Sequence, residues 1–381
     1  MRVQRLRLEG GGPVSLVLLD DDDRPIPAVS RFLRHLAARD YSPNTLSAYA
    51  YDLLHFMRFL ARSGGTVADF TPPQSLDFLA YLREVPSRRH AQRFGLALCT
   101  TADGQSAICL SATTINRILA AVSSFYEYLI ISGELDSDNP LQTVDDSAAA
   151  RVSDRHRPAM GRASRQRPIR RVVRVKTVQR IPRPLSDEQV AQLLGALRRW
   201  RDRAMLLLML QGGLRPGEVL NLHLEDIQYG RRRVVVRHRT DHPKGVRTKS
   251  RQERVVDLHE PDALHALSTY VMHERPPEGA SSLVFLVGGK GVARCEPLGY
   301  HALVKLFGRY CQRLGIREPW LTPHALRHTH ATRMWEGGMR ELTLQRRLGH
   351  ASPDSTRLYT RVSDPVVVAE YRRALGKEDT V

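Results

Sequence analysis

Cysteine is nearly missing from this chain: there are four in 381 residues, Cys99, Cys109, Cys295 and Cys311. None falls in a C-x-x-C or zinc-ligand spacing. That excludes a disulfide framework or a zinc ribbon and reads as reduced thiols. Long apolar runs are missing too. No stretch of about twenty apolar residues offers a membrane span, and the opening MRVQRLRLEGGG lacks the apolar core of a secretory signal. The expectation is a cytoplasmic protein with no membrane partner. Acidic residues are also scarce: 40 Asp and Glu stand against 58 Lys and Arg, leaving a net charge of +18. A field of that sign and size favours a polyanion, with nucleic acid ahead of an anionic membrane.

Apolar residues are not scarce, at 42%, and the length exceeds one typical domain, so two packed domains are expected. Residues 1–26 read as a peripheral extension, with a short strand at Val14–Leu19 and a solvated acidic turn at Asp20–Asp23. Residues 27–142 read as a helical domain. Ser42 can cap a helix whose first position is Pro43, where a missing N–H costs nothing. Leu46, Tyr49, Leu53, Phe56, Met57 and Leu60 then form a helical stripe that Gly64 closes. SLDFLAYLREV gives a shorter helix. A third runs through Ile115, Ile118, Leu119, Val122, Phe125, Tyr126 and Leu129 to Gly133, after a long loop over 87–110.

Residues 143–183 are dense in arginine and poor in apolar period. They read as a linker, either solvated or tracking a phosphate backbone. In the second domain, 184–381, Ser186 opens a helix through Leu197 and an apolar helix runs from Asp202 to Gln211. The runs Arg233–Val236 and Arg254–Leu258 flank a polar tip as a hairpin, and Ser282–Leu286 gives a further short strand. Helices dominate from Tyr300 onward. The fold class is mainly α, a helical amino-terminal domain followed by an α+β domain with a small hairpin sheet.

The stretch LTPHALRHTHATRMWEGGMRELTLQRRLGHASPDSTRLYTR, residues 321–361, concentrates the groups that could do chemistry. Thr322 can cap a helix starting at Pro323, which puts His324 and Arg327 one turn apart on one face. Gly337 and Gly338 stop that helix. A buried His beside an Arg is often structural, so the pair is weak evidence when taken singly. His328-Thr329-His330 lacks a carboxylate cluster, and neighbours two apart on a helix diverge, so no metal site is expected. Upstream, GGLRPGEVL sets Arg215 at a tight turn into a helix, with Glu218 placed to brace it. A guanidinium grips two phosphate oxygens with parallel bonds, which lysine cannot do. Two such groups together could neutralise charge on a five-coordinate phosphorus. Tyr359 lies past Ser352-Pro353 in the polar stretch DSTRLYTR, with little hydrophobic reason for a phenol there.

Taken together, GLRPGEVL, TKSRQERVVDL, LTPHALRHTHAT, RRLGHAS and STRLYT resemble the tyrosine recombinase (phage integrase) family over residues 184–362. The helical segment 28–133 is similar to that family's amino-terminal core-binding, SAM-like domain. The resemblance implies that Arg215 is the first family arginine, that His324 and Arg327 are its His-x-x-Arg pair, and that His350 is the histidine of its Leu-Gly-His motif. Tyr359 is then the nucleophile, forming a covalent 3′-phosphotyrosine. The hairpin lysine falls best on Lys249, with Lys244 as the alternative. Asp257 stands where many relatives carry proline.

What the resemblance further implies is site-specific cleavage and rejoining of double-stranded DNA recombination sites, for integration, excision or transposition of a mobile element. It implies no cofactor and no metal, a homotetramer on DNA, and room for accessory DNA-bending or directionality proteins. A tail helix in SDPVVVAEYRRAL would dock on a neighbouring subunit or fold back on its own domain. Two rivals remain in view: a type IB topoisomerase-like relaxing enzyme, and a DNA-binding protein that has lost catalysis. The Leu-Gly-His motif and the separate helical domain favour the recombinase over the first. The complete set of six groups argues against the second.

Overall fold

The computed structural model describes residues 1–6, 15–87, 98–100, 106–141, 143–145, 169–177, 183–248, 250, 252–279 and 281–349. The chain folds as two compact units, Met1–Gln179 and Arg180–Val381. The described structure is mainly helical with small antiparallel sheets, as expected.

The first unit is built on α1 (Pro27–Ala38), α2 (Pro43–Ser63), α3 (Pro72–Glu84) and α4 (Ala112–Ile131). Ser42 caps α2 by accepting the Thr45 N–H, with Pro43 beside it at the helix start, and Gly64 ends the helix in the left-handed conformation at φ +68°. That is the sequence signal for both ends of a helix, realised. Its stripe and that of α4 bury Leu53, Phe56, Leu60, Ile118, Val122 and Phe125 in one core. Aromatic rings dominate it. Phe56 meets Phe70 and Phe78 edge to face at 4.9 and 5.4 Å, arrangements worth about 1 kcal/mol each beyond area burial. The Tyr126 hydroxyl donates to the Val67 carbonyl at 2.8 Å, so its polar tip is satisfied inside the core.

Two segments that read as peripheral in the sequence join this core. Strand β1 (Arg2–Leu6) pairs antiparallel with β2 (Ser15–Leu19), and Leu18 is fully buried among the helices. The strand expected at Val14–Leu19 is present over Ser15–Leu19 and works as one arm of a hairpin, Val14 lying outside the described residues. Within the long loop, β3 (Leu98–Thr100) pairs with β4 (Ser106–Ile108). Inside the arginine-rich stretch, β5 (Thr143–Asp145) pairs with β6 (Ile169–Arg171). Val173 then packs on the core, and Asn116 exchanges two hydrogen bonds with the Val175 backbone, at 2.9 and 2.8 Å.

In the second unit, Ser186 and Gln189 form a reciprocal capping box that opens α5 (Asp187–Ala196). Helix α6 (Trp200–Leu210) is buried on every side from Ala204 to Leu210, which explains why it carries no amphipathic stripe. Around it lie α7 (Pro216–Leu220), α8 (Pro261–Thr269), α9 (Tyr300–Arg313), α10 (Pro323–Glu336) and α11 (Glu341–Leu348). The expected hairpin is β8 (Arg233–Val236) with β9 (Arg254–Asp257), and β7 (Ile227–Gln228) adds a third antiparallel strand. Val234, Val236 and Val256 face the core in alternation. Ser282–Leu286 does not form a regular strand. It is held instead by single bridges, His223 to Leu283 and Leu286 to Pro297.

Asp52, 2% exposed on α2, pairs with the half-exposed guanidinium of Arg117 at 2.6 Å. Burial is the larger influence and pushes its carboxyl up to about 7 against the attraction of Arg117. Its folded pKa thus lies above the unfolded value of 3.8, so this contribution to stability is full below pH 3.8 and lost as pH rises through 7. Asp52→Asn should remove that dependence and raise the stability of the unit at pH 8 by about 1 kcal/mol, since Arg117 keeps its solvation. Denaturant unfolding at pH 5.5 and pH 8 checks it; a variant less stable than the parent at pH 8 would contradict this account.

Candidate active site

The centre of the second unit is a carboxylate. Glu218, on the short helix α7, is 1% exposed and is reached by three arginines from three elements. Arg215, one turn earlier at the start of α7, donates its backbone N–H to Oε2 and its Nη1 to Oε1, both at 2.8 Å. Arg254, first residue of β9, grips the same carboxylate with two bonds, Nη1 to Oε1 at 2.9 Å and Nη2 to Oε2 at 2.7 Å. Arg327 on α10 brings Nη1 to 3.7 Å from Oε2. Burial would raise this carboxyl; the Arg254 hydrogen bonds and the charges of Arg254, Arg327 and Arg215 outweigh it and hold it down to about 2.

The same arginines also bind the carboxyl-terminal end of α11. Helix ends leave carbonyls without intrahelical partners, and these carry the negative end of the helix dipole. Here three successive carbonyls take guanidiniums. Arg347 O accepts from Arg254 Nε at 3.0 Å. Leu348 O accepts from Arg327 Nη2 at 2.6 Å and Arg215 Nη1 at 3.4 Å. Gly349 O accepts from Arg215 Nη2 at 3.1 Å. Gly349 caps α11 at φ +64°, and a Cβ there would meet Arg254 Nη1 at 2.8 Å, so both conformation and space call for glycine.

Arg215 and Arg327, far apart in the chain, are thus brought together as the sequence predicted. The α10 helix begins at Pro323 and ends before Gly337 and Gly338, with Thr322 at the N-cap position but without the side-chain bond expected of it. His324 is exposed on the first turn, while Arg327 one turn on is buried. Lys249, His350 and Tyr359 lie outside the described residues, as does the expected tail helix. Lys244, the alternative lysine, pairs with Glu296 at 2.8 Å. Among the described residues no group of three His, Cys, Asp or Glu lies together.

Two residues of the site carried no expectation from the sequence, Arg254 and His330. The strand register offered a signal for Arg254: it is two residues from buried Val256, hence on the same face, and opposite buried Val236. His330, buried on α10, bonds the Leu210 carbonyl through Nδ1 at 2.8 Å and takes Arg347 Nε on its other nitrogen at 3.1 Å. It is a brace behind the site, with Gly213 packed so closely that a Cβ would lie 2.5 Å from its ring.

With this geometry in place, comparison with known proteins locates the chain. The phage integrase family matches residues 183–365, and the phage integrase amino-terminal SAM-like domain matches residues 29–133. The chain is 31% identical to transposase A from transposon Tn554 of Staphylococcus aureus, over all of this chain and 99% of that one. It is 27% identical to tyrosine recombinase XerC of Caldanaerobacter subterraneus, over 92% of this chain and 86% of the other. Among solved structures, the XerH site-specific recombinase bound to palindromic difH substrate superposes with a TM-score of 0.60 at 16% identity, over 92% of this chain and 84% of that one. The Tn1549 transposon integrase in complex with a circular intermediate DNA gives 0.58 at 18%, over 91% and 98%. These two share the fold. The chain belongs to the phage integrase family: it is a tyrosine recombinase, an enzyme of site-specific recombination.

Protonation links the site to stability. His328 and His330 are both held down to about 4, by burial first and then by neighbouring positive charge, against 6.5 when unperturbed. Both folded values are depressed, so the stability they carry is whole above pH 6.5 and lost as pH falls toward 4. Glu218 follows, with its share present above 4.5 and lost as pH falls through about 2. Unfolding free energy of the second unit, measured by denaturant titration, should therefore fall in two acid steps. Constant stability from pH 7 to 4.5 would rule out the buried neutral histidines.

Proposed function

We propose that this recombinase cleaves DNA through Tyr359 and mobilises the DNA element that carries its gene. Support for the element comes from full-length similarity to a transposon transposase. The observation that carries the chemistry is the convergence of Arg215 and Arg327 on one carboxylate and one carbonyl. Two guanidiniums that can share Glu218 and Leu348 O can also share a phosphodiester.

In this reading the Tyr359 oxygen attacks phosphorus, the bond to the 5′-oxygen breaks, and a 3′-phosphotyrosyl link forms. Arg215 and Arg327 hold the non-bridging oxygens as charge builds. Lys249 donates a proton to the departing 5′-oxygen, whose high pKa makes donation worthwhile. His324 and His350 position the phosphate and exchange the phenol proton. Attack by the 5′-hydroxyl of another strand reverses the step, so the bond energy is conserved and neither ATP nor a metal is called for. Four copies act on two double-stranded sites, with accessory bending or directionality proteins free to bias the outcome. A relaxing enzyme or an inactive DNA-binding chain is disfavoured by similarity to a transposon transposase over all of this chain and to a tyrosine recombinase over 92% of it.

The test is a covalent protein–DNA adduct on nicked duplexes tiling the DNA that flanks the gene, with EDTA present. The native chain should form it and Tyr359→Phe should not; an adduct persisting in that variant removes Tyr359 as nucleophile. Arg215→Ala should keep DNA binding and slow cleavage by about 10³-fold. Of Lys249→Ala and Lys244→Ala, the first should carry the large cleavage defect, and the reverse result would reassign the acid to Lys244.

A further inference from the structure

Four side chains meet at the site, and their charges do not cancel. Arg215, Arg254 and Arg327 supply three positive charges and Glu218 one negative, a sum of +2 within this group. A phosphodiester carries one negative charge, and a five-coordinate phosphorane carries two. The group therefore matches the transition state better than the ground state, which is the condition for a charged site to accelerate a step.

The two bonds from Arg254 decide how that +2 is distributed. A carboxylate has two oxygens and about four acceptor positions. Arg254 takes one position on each oxygen, through the parallel fork that only a guanidinium provides. Its Nε is spent on Arg347 O, so Nε, Nη1 and Nη2 of Arg254 are all bonded to Glu218 or to α11. Arg215 is less buried, at 17%, and holds Glu218 through a single guanidinium nitrogen. Arg327 is the most buried of the three, at 3%, but stands farther from Glu218, at 3.7 Å, with its Nη1 and Nη2 on the Gly213 and Leu348 carbonyls at 2.6 Å each.

Resting on the recombinase reading above, we infer that Arg254 is a positioning residue for DNA cleavage, the dedicated counter-ion of Glu218 that leaves the charge of Arg215 and Arg327 to the phosphate. Without it, Glu218 remains a buried carboxylate short of two bonds. The nearest donors able to replace them are the guanidiniums of Arg215 and Arg327. Loss of Arg254 lowers the sum of the group to +1, and a fork-to-fork pair with either remaining arginine would withdraw that arginine from the phosphate.

The requirement for Arg254 then comes from the charge on Glu218. With Gln at 218 there is no carboxylate to compensate, so loss of Arg254 should matter much less. A purely structural role for Arg254 has no such dependence once the variants are folded. Arg254→Lys separates charge from shape, since it keeps the cation and loses the fork.

The experiment measures single-turnover adduct formation on the nicked duplex that the native chain cleaves, beside the Kd for the same DNA. It is run well below the melting temperature of every variant, with folding verified by circular dichroism. Arg254→Met should cleave about 100-fold more slowly than native, with Kd changed less than about threefold. Arg254→Lys should fall between the two. The double variant Glu218→Gln/Arg254→Met should recover at least about tenfold over Arg254→Met. Folded Arg254→Met that cleaves within about threefold of native overturns the inference, and so does a double variant no faster than the single one. If the native chain forms no adduct that depends on Tyr359, it is the recombinase chemistry that fails, and the two failures are told apart by that control.

Discussion

A single buried carboxylate organises the second unit. Glu218 can remain ionised in a dry interior only if its acceptor positions are filled by charged donors, because an isolated buried carboxylate costs several kcal/mol. Its donors come from the turn before α7, from the first residue of β9 and from the first half of α10. Each of these elements is fixed by its own apolar face, Val219 and Leu220 on α7, Val256 on β9, Ala325 and Leu326 on α10. The ion cluster adds what apolar packing lacks, a directional requirement that brings three backbones into one register. Replacing a buried ion pair by well-packed apolar groups is often neutral or stabilising, so the cluster's role here is read in register and not in net stability.

The second dependency is at α11. Its own apolar attachment is small: Ala331, Leu344 and Leu348 are buried there, with Met334, Trp335 and Met339 packed at the edge. Guanidinium bonds to Arg347, Leu348 and Gly349 carbonyls therefore supply much of what holds its carboxyl-terminal end. Positive charge at that end is also what the helix dipole favours. The Leu-Gly pair before His350 thus has a mechanical reading that a motif search does not provide. Leu348 anchors in the small core, while Gly349 turns the chain where a Cβ would strike Arg254.

Local signals were legible in the sequence and long-range ones were not. Ser42 and Pro43, the Phe56 stripe, the Ser186 capping box and the β8–β9 hairpin each depend on neighbours within a few residues, and each is present. The segment Ser282–Leu286 looked like a strand because its residues favour extended backbone; it stays extended but meets its partners only in single bridges. Strand β1 was invisible because RVQRL is mostly exposed and shows no clean alternation. At the site, Arg215, His324 and Arg327 stood out through motif spacing. Arg254 did not, since 58 Lys and Arg crowd the chain and one more beside a strand is unremarkable. Its importance appears only when β9 is paired, because pairing turns it inward beside Val256.

The anchored carbonyls also bear on where the proposed nucleophile, Tyr359, would act. Gly349 is fixed by Arg215, and Tyr359 follows it by ten residues. Ten residues span about 15 Å as helix and at most about 35 Å extended. With Tyr359 as the proposed nucleophile, the first length would favour cleavage within one chain and the second would allow it on a neighbouring copy. The arginine cluster therefore fixes the start of the segment that carries the proposed nucleophile without choosing between the two arrangements. That choice falls to what the segment itself packs against. In the proposed mechanism, cleavage in one chain or across two would then be set by residues after Gly349, and the phosphate-binding charge by residues before it. The two can vary independently, which allows one chemical site to serve different assemblies.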